Sequence, residues 1–283
     1  MFLNIQSILA GLGAVLIWSF SPVLIKVQAL AMPLSLFLVL RYGLSTVLLS
    51  PLIFQLRKEN LKVSISGWLG LCICLVAHLG CQVFAIRELP IVWYVVFFSL
   101  SPLISLLLVQ RKLSWQTWFY IGLCVIGTWV FISQEKLTSI SLSSVIALVV
   151  TVLFWAGLTK FMKDIQSQLS DLKVTALSNL ISFLLFAGYW LVDGLPFQSM
   201  NFSNFASIFV LSLGVPLGFF LFSFCLRKTP VFAISSQYLE PVFGAAFGVL
   251  VFKEVMTLPQ QLGTLIIIAA AYKITVSLKG IAS

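Results

Sequence analysis

The sequence predicts an all-α integral membrane protein, with ten transmembrane helices arranged as two inverted five-helix repeats. Three observations lead there. Of the 283 residues, 60% are hydrophobic and 9% charged, with a mean hydropathy of +1.11, whereas soluble domains are about 45–50% apolar and about 25% charged. The apolar residues form continuous runs of about 20, the length a helix needs to cross a bilayer, not the alternating ten-residue segments of a membrane barrel. Segments of the first half also recur in the second, in the same order and at a nearly constant offset.

In chain order, the spans are expected at 5–25, 34–55, 67–86, 91–110 and 116–133, then at 143–161, 174–192, 204–225, 231–252 and 261–278. The first lacks the positive n-region and the cleavage site of a signal peptide, so it reads as a retained span. The longest connections fall near 56–66, 134–142, 162–173 and 193–203. The repeats are expected at 1–137 and 138–283. "LIWSFS" at 16–21 resembles "LFWAGL" at 153–158, and "LRYGLSTVLLS" at 40–50 aligns with "LSNLISFLLFA" at 177–187. Arg87 and Pro90 match Arg227 and Pro230, and Ser101-Pro102 matches Glu240-Pro241. "IGLCVIGTWVFI" at 121–132 matches "LGTLIIIAAAYK" at 262–273. An odd number of spans per repeat makes the second enter the membrane from the opposite side, the pattern of many secondary transporters.

The net charge of +9 is scattered between apolar runs, not gathered into the basic stripe of a nucleic-acid binder. Counted on alternate sides, twelve Lys and Arg fall on the side holding both termini and five on the other. The excess places both termini in the cytoplasm. The five cysteines all sit inside apolar runs and read as small hydrophobes. No Ser-His-Asp set, paired carboxylates, zinc motif or nucleotide-binding loop supports an enzyme.

Of the eight acidic residues, Glu240 alone is deep, about nine residues or roughly 13 Å into its span. A charge there is expensive and usually functional. The adjacent Pro241 removes a backbone donor and frees the carbonyl four residues back, at Gln237. An opened helix is tolerated in a membrane where it is buried in protein or lines a wet cavity, so the pair points to a cavity wall; the alternative is a static ion pair beside a kink. Pro102 and Pro241, in equivalent spans, are candidate hinges. Arg41 is the other deep charge. It could pair with Glu240, or snorkel to the outer interface. His78, the one histidine, and Gln82, four residues on, share a helix face as candidate cavity residues. Trp18 with Ser19, and Trp155, lie too deep for an interfacial aromatic belt. With Tyr42, Trp93, Tyr94 and Tyr238 they could build an aromatic cavity for planar or cationic solutes, or simply pack. Gly244 and Gly248 form a GxxxG that permits close helix packing or dimerisation.

"GLGAVLIWSFSPVLIKV" at 11–27, "LVLRYGLSTVLLSPL" at 38–52, "FSLSPLISLLLVQRKLSWQTWFYIGLCVIG" at 98–127 and "SQYLEPVFGAAFGVLVFKE" at 236–254 resemble the EamA-type drug/metabolite transporters. The resemblance covers nearly the whole chain. It implies a ten-helix carrier in which helices one to four and six to nine surround a central cavity, with five and ten as peripheral supports. It also implies a small-molecule substrate such as an amino acid or related metabolite, an exporter's role with import as the alternative, and no cofactor; the expected location is the bacterial cytoplasmic membrane. Proton coupling through Glu240 or His78 and facilitated diffusion both stay open, as do a monomer and a homodimer. The rival reading is a non-transporting membrane scaffold or partner subunit.

Overall fold

The computed structural model describes residues 5–56, 65–89, 91–98, 100–109, 114–133, 141–252 and 257–277. Among these, all regular structure is helical and no strand occurs. The first half holds α1 (Ile5–Ala31), α2 (Leu34–Leu48), α3 (Ser50–Leu56), α4 (Ile65–Glu88), α5 (Ile91–Phe98), α6 (Ser101–Val109) and α7 (Trp115–Ile132). The second holds α8 (Leu142–Ile165), α9 (Asp171–Val192), α10 (Phe202–Lys228), α11 (Pro230–Ser236), a 3₁₀ turn (Gln237–Leu239), α12 (Glu240–Phe252) and α13 (Leu258–Ser277). The expected boundary between repeats, at 137/138, lies outside the described residues.

Five helices are long and apolar enough to cross a membrane unaided: α1, residues 66–88 of α4, α8, α9 and α10. Three of the expected runs are interrupted instead. The run at 34–55 breaks at Leu49, just before Pro51; the run at 91–110 breaks just before Pro102; the run at 231–252 breaks just before Pro241. At each break the proline lacks the N–H that would bond the carbonyl one turn earlier, although Pro22 and Pro216 sit within the unbroken α1 and α10. At the last break, Glu240 donates its N–H to the Gln237 carbonyl. That three-residue spacing tightens the turn to 3₁₀ geometry. In the first half, Leu100 donates to the Phe97 carbonyl at 3.0 Å in the same way.

Helix ends follow local chemistry. Ser114, Ser141 and Asn201 cap α7, α8 and α10 by accepting backbone N–H bonds from residues three further on. The α9 terminus closes through Gly194, at φ +83°, with Leu195 donating to the Trp190 carbonyl at 3.0 Å. A glycine in the left-handed region is the usual helix stop.

The most extensive interfaces are α7 with α13, α4 with α8, α1 with α10, and α2 with α9. Exchanging the two halves maps this set onto itself: α4–α8 becomes α10–α1, and the other two pairs become themselves. Equivalent helices run antiparallel. Along α2 and α9, Ser35 bonds Asp193 while Thr46 bonds the carbonyl of Asn179. Along α7 and α13, a Cβ on Gly263 would meet Phe131, and one on Gly127 would meet Ile266 and Ile267. That last pair of helices approaches so closely that a Gly263 Cβ would lie 2.5 Å from the Gly127 carbonyl oxygen. Apolar helices in lipid associate through such close packing of small residues. The main core lies among α1, α4, α8 and α10, and a smaller one joins α7 to α13.

Candidate functional site

Two tryptophans mark the centre. Trp18 on α1 and Trp155 on α8 occupy equivalent positions of the two repeats. They meet edge to face, with ring centroids 5.0 Å apart. Edge-to-face contact suits the ring quadrupoles. Each indole is held by its neighbours. Trp18 fits because Gly218 on α10 has no side chain: a Cβ there would lie 2.5 Å from the indole nitrogen. Trp155 donates its indole N–H to the Gln237 side chain at 3.2 Å and packs against the His78 ring at 4.9 Å.

Around this pair lies a cavity of about 400 Å³ including its mouth, into which Trp18, Arg41, His78, Gln82, Trp155 and Glu240 all project. Phe98, Phe219 and Val215 complete much of the apolar wall. The enclosed part has room for about two waters, so a solute would enter only as the aromatic walls part.

The polar groups are placed unevenly. His78 Nδ1 lies 3.1 Å from the Thr151 carbonyl. A carbonyl only accepts, so that nitrogen carries the hydrogen and Nε2 remains as the second functional atom of the ring. Gln82 donates to the Tyr94 hydroxyl at 2.7 Å, and Tyr94 stacks on Phe98. Arg41 is 2% exposed, with Nε and Nη1 lacking any hydrogen-bond partner; Glu240 is 3% exposed, with Oε2 likewise unpartnered. Ion pairs join Arg87 to Glu88 and Arg227 to Asp171. The expected alternative of a direct Arg41–Glu240 pair is therefore not what this structure contains: both charges face one cavity and form no ion pair.

The backbone around each charge is pinned. Ser19 donates to the Val15 and Glu240 carbonyls, at 2.7 and 3.2 Å, tying α1 to the start of α12. Ser212 on α10 donates to the Arg41 carbonyl at 3.0 Å. The Arg41 guanidinium lies over the rings of Phe37 and Tyr42, at 5.9 and 5.3 Å, a favourable cation–π placement.

Three of the expected cavity residues lie elsewhere. Ser19 sits behind the wall as a tether. Tyr42 stands behind Arg41, stacked on Phe186. Tyr238 faces the smaller core with Ile121, Cys124 and Ile267; two residues before Glu240, it lies about half a turn round the helix from it. Pro102 is buried at the start of α6, and Pro241 follows Glu240 at the start of α12. Sequence reasoning missed Gln237, whose side chain holds Trp155; a lone amide one turn before Glu-Pro was its signal. It also missed Phe98 and Phe219, which look like any other phenylalanine in a chain with 25 of them. No three His, Cys, Asp or Glu side chains among the described residues gather as a metal site.

No curated protein matches the chain. A protein of known crystal structure superposes with a TM-score of 0.78 at 16% identity, covering 99% of this chain and 100% of that one. Likeness at that identity speaks for the fold. The model of the EamA-like transporter family matches residues 5–133 and again 142–276. Two successive matches, one to each half of a helical protein whose interfaces are unchanged by exchanging those halves, show that the chain belongs to the EamA-like transporter family.

Proposed function

We propose that the protein is a secondary carrier that moves small organic metabolites, such as amino acids or related compounds, across a bacterial cytoplasmic membrane. The observation that carries this is the cavity between the halves, with Trp18 and Trp155 at its centre and two buried ionisable side chains, Arg41 and Glu240, in its wall. Carriers built from inverted repeats bind at the repeat interface and expose that site to each side in turn. The ten-span reading counts each interrupted helix as one span: α2 with α3, α5 with α6, and α11 with α12. The antiparallel course of equivalent helices supports an inverted arrangement. The breaks before Pro102 and Pro241 are the hinges, since a turn already released from α-helical bonding bends with little loss. Export as the direction and cytoplasmic termini follow from the family resemblance and the Lys/Arg count.

The test is reconstitution. Purified protein in liposomes is expected to equilibrate a labelled amino-acid or metabolite mixture faster than protein-free vesicles, with Glu240→Gln slowing it. A broad mixture that crosses no faster with the protein than without it overturns the carrier reading and favours a scaffold. Transport unaffected by collapsing a proton gradient assigns facilitated diffusion rather than coupling. A C-terminal tag accessible only from outside reverses the orientation.

A further inference from the structure

Resting on the carrier reading, we infer that Arg227, Asp171, Gln166 and Ser223 form a latch that holds one end of the transport path shut, and that Arg87 is its released counterpart at the other end. The cavity is one-sided. Its wall runs from Trp18 along α1 through Ser21 and Ile25, and from His78 along α4 through Gln82. Those two helices point the same way, since Lys26 near the end of α1 donates to the Leu89 carbonyl just past α4, at 2.5 Å. The cavity therefore leads away from the end where α1 begins. α10 runs against α1, with Ser7 bonded to Thr229 at 2.7 Å. On the way to that end of α10, Phe222 is buried against both indoles, its ring centroid 5.1 Å from Trp18 and 5.6 Å from Trp155. Beyond it lies the latch.

The latch joins two pairs of helices. α1 meshes with α10, where a Cβ on Gly11 would crowd Cys225 and one on Gly218 would crowd Trp18; α4 meshes with α8, where a Cβ on Gly70 would crowd Phe161 and one on Gly157 would crowd Cys74. Helices packed this closely move as one body. Across the two pairs, Arg227 on α10 donates to Asp171 and to the carbonyls of Gln166 and Leu169, at 2.7 and 2.5 Å. Gln166 in turn donates to the Ser223 carbonyl and hydroxyl, both at 2.7 Å.

At the far end the twin residues cannot repeat this. In the registers that align Trp18 with Trp155 and Arg87 with Arg227, Ser223 becomes Val83, Gln166 becomes Ala29 and Asp171 becomes Leu34. Arg87 keeps the cation and meets Glu88 instead. Gln82 stands where its twin is Phe222, and it turns aside to Tyr94. Accordingly α10 packs on α9 more extensively than α4 packs on α2. The protein rests with the latched end shut, and opening that end must break charge-assisted hydrogen bonds. When it opens, exchange of the two halves' roles brings Arg87 toward the carbonyls of the α1–α2 turn.

The experiment labels two twin positions of the purified protein with a charged methanethiosulfonate in detergent and reads each by peptide mass spectrometry. Ser21 lines the cavity, whereas Leu158, which aligns with it, is fully buried. Ser21→Cys is expected to label faster than Leu158→Cys. Adding Arg227→Gln or, separately, Asp171→Asn is expected to raise labelling of Leu158→Cys about tenfold and to lower that of Ser21→Cys, because losing a charged hydrogen bond shifts a two-state equilibrium. Arg87→Gln should leave Leu158→Cys protected. A loosened fold would raise both rates together, so the reciprocal change separates a latch from a structural prop. Equal labelling of the twins with the latch intact, a parallel change or no change at both positions in the latch variants, or deprotection of Leu158→Cys by Arg87→Gln overturns the inference. Failure of the carrier reading looks different: labelling reverses as expected, yet no solute crosses the reconstituted membrane.

Discussion

The two halves share a frame and differ in chemistry. Each has a proline-broken helix at equivalent positions, one turned before Pro102 and the other before Pro241. At the residue preceding the proline, the first half carries Ser101 and the second Glu240. The other charge shows the reverse asymmetry: when 40–50 is laid on 177–187, Arg41 in the first half falls on Ser178 in the second. His78 and Gln82 on α4 correspond to Gly218 and Phe222 on α10, in the register that aligns Arg87 with Arg227. Ser101 and Ser178 are buried with unpartnered hydroxyls, so the frame makes an inward polar position in both halves and only one copy carries the charge. Duplication supplied the shape; the chemistry came from residues that differ between copies.

The largest test of this comparison is at Arg227 and its counterpart Arg87. Arg227 donates to both oxygens of Asp171, at 3.0 and 3.2 Å, and to the carbonyls of Gln166 and Leu169. It thereby closes the turn between α8 and α9. Arg87 meets only its neighbour Glu88, with both side chains about two-fifths exposed. Breaking a buried pair costs about 3–5 kcal/mol, and partial solvent screening reduces the expectation for Arg227→Gln to about 2–3 kcal/mol. Arg87→Gln should stay within about 0.5 kcal/mol. Thermal unfolding in detergent measures both, and equal losses would make the halves alike at this end.

Next come Gly263 and Gly122, equivalent when 121–132 is laid on 262–273. A Cβ on Gly263 would meet backbone atoms of Gly127 and Phe131 at 2.5 and 2.8 Å, whereas one on Gly122 meets nothing within 4 Å. Gly263→Ala is expected to lose about 1–3 kcal/mol by forcing α7 and α13 apart. Gly122→Ala should gain up to about 1 kcal/mol from helix propensity. The opposite signs are what the same melting assay must show.

The last test is at Gly218. Gly218→Ala would place its Cβ 2.5 Å from the indole nitrogen of the buried Trp18, so an overpacking loss of about 1 kcal/mol is expected together with a shift in tryptophan emission. Unchanged emission would mean that Trp18 does not depend on the space that Gly218 leaves.

Much of this is legible in the chain because prolines, charges and repeats declare themselves along it. The recurrence of "LIWSFS" as "LFWAGL" alone puts Trp18 and Trp155 in register, and Glu-Pro marks the break in the ninth run. What stays hidden is azimuth. Where a helix is apolar nearly all round, sequence fixes a residue's depth but not which neighbour it faces. Tyr238, two residues before Glu240 and so half a turn round the helix from it, packs into the α7–α13 core and not the cavity. Tyr42, adjacent to Arg41, serves as its backing. Phe98 and Phe219 carry no signal that separates a cavity wall from a packing position.

The meeting of Trp18 with Trp155 has a consequence for how such a molecule changes over time. In a two-fold homodimer, the residue nearest the axis touches its own copy. Two equivalent tryptophans in contact are the single-chain counterpart of that self-contact. In a true dimer every substitution near the axis appears twice and must suit both environments. Joined end to end, the copies vary singly, so a histidine can stand where its twin is a glycine, and an acid where its twin is a serine.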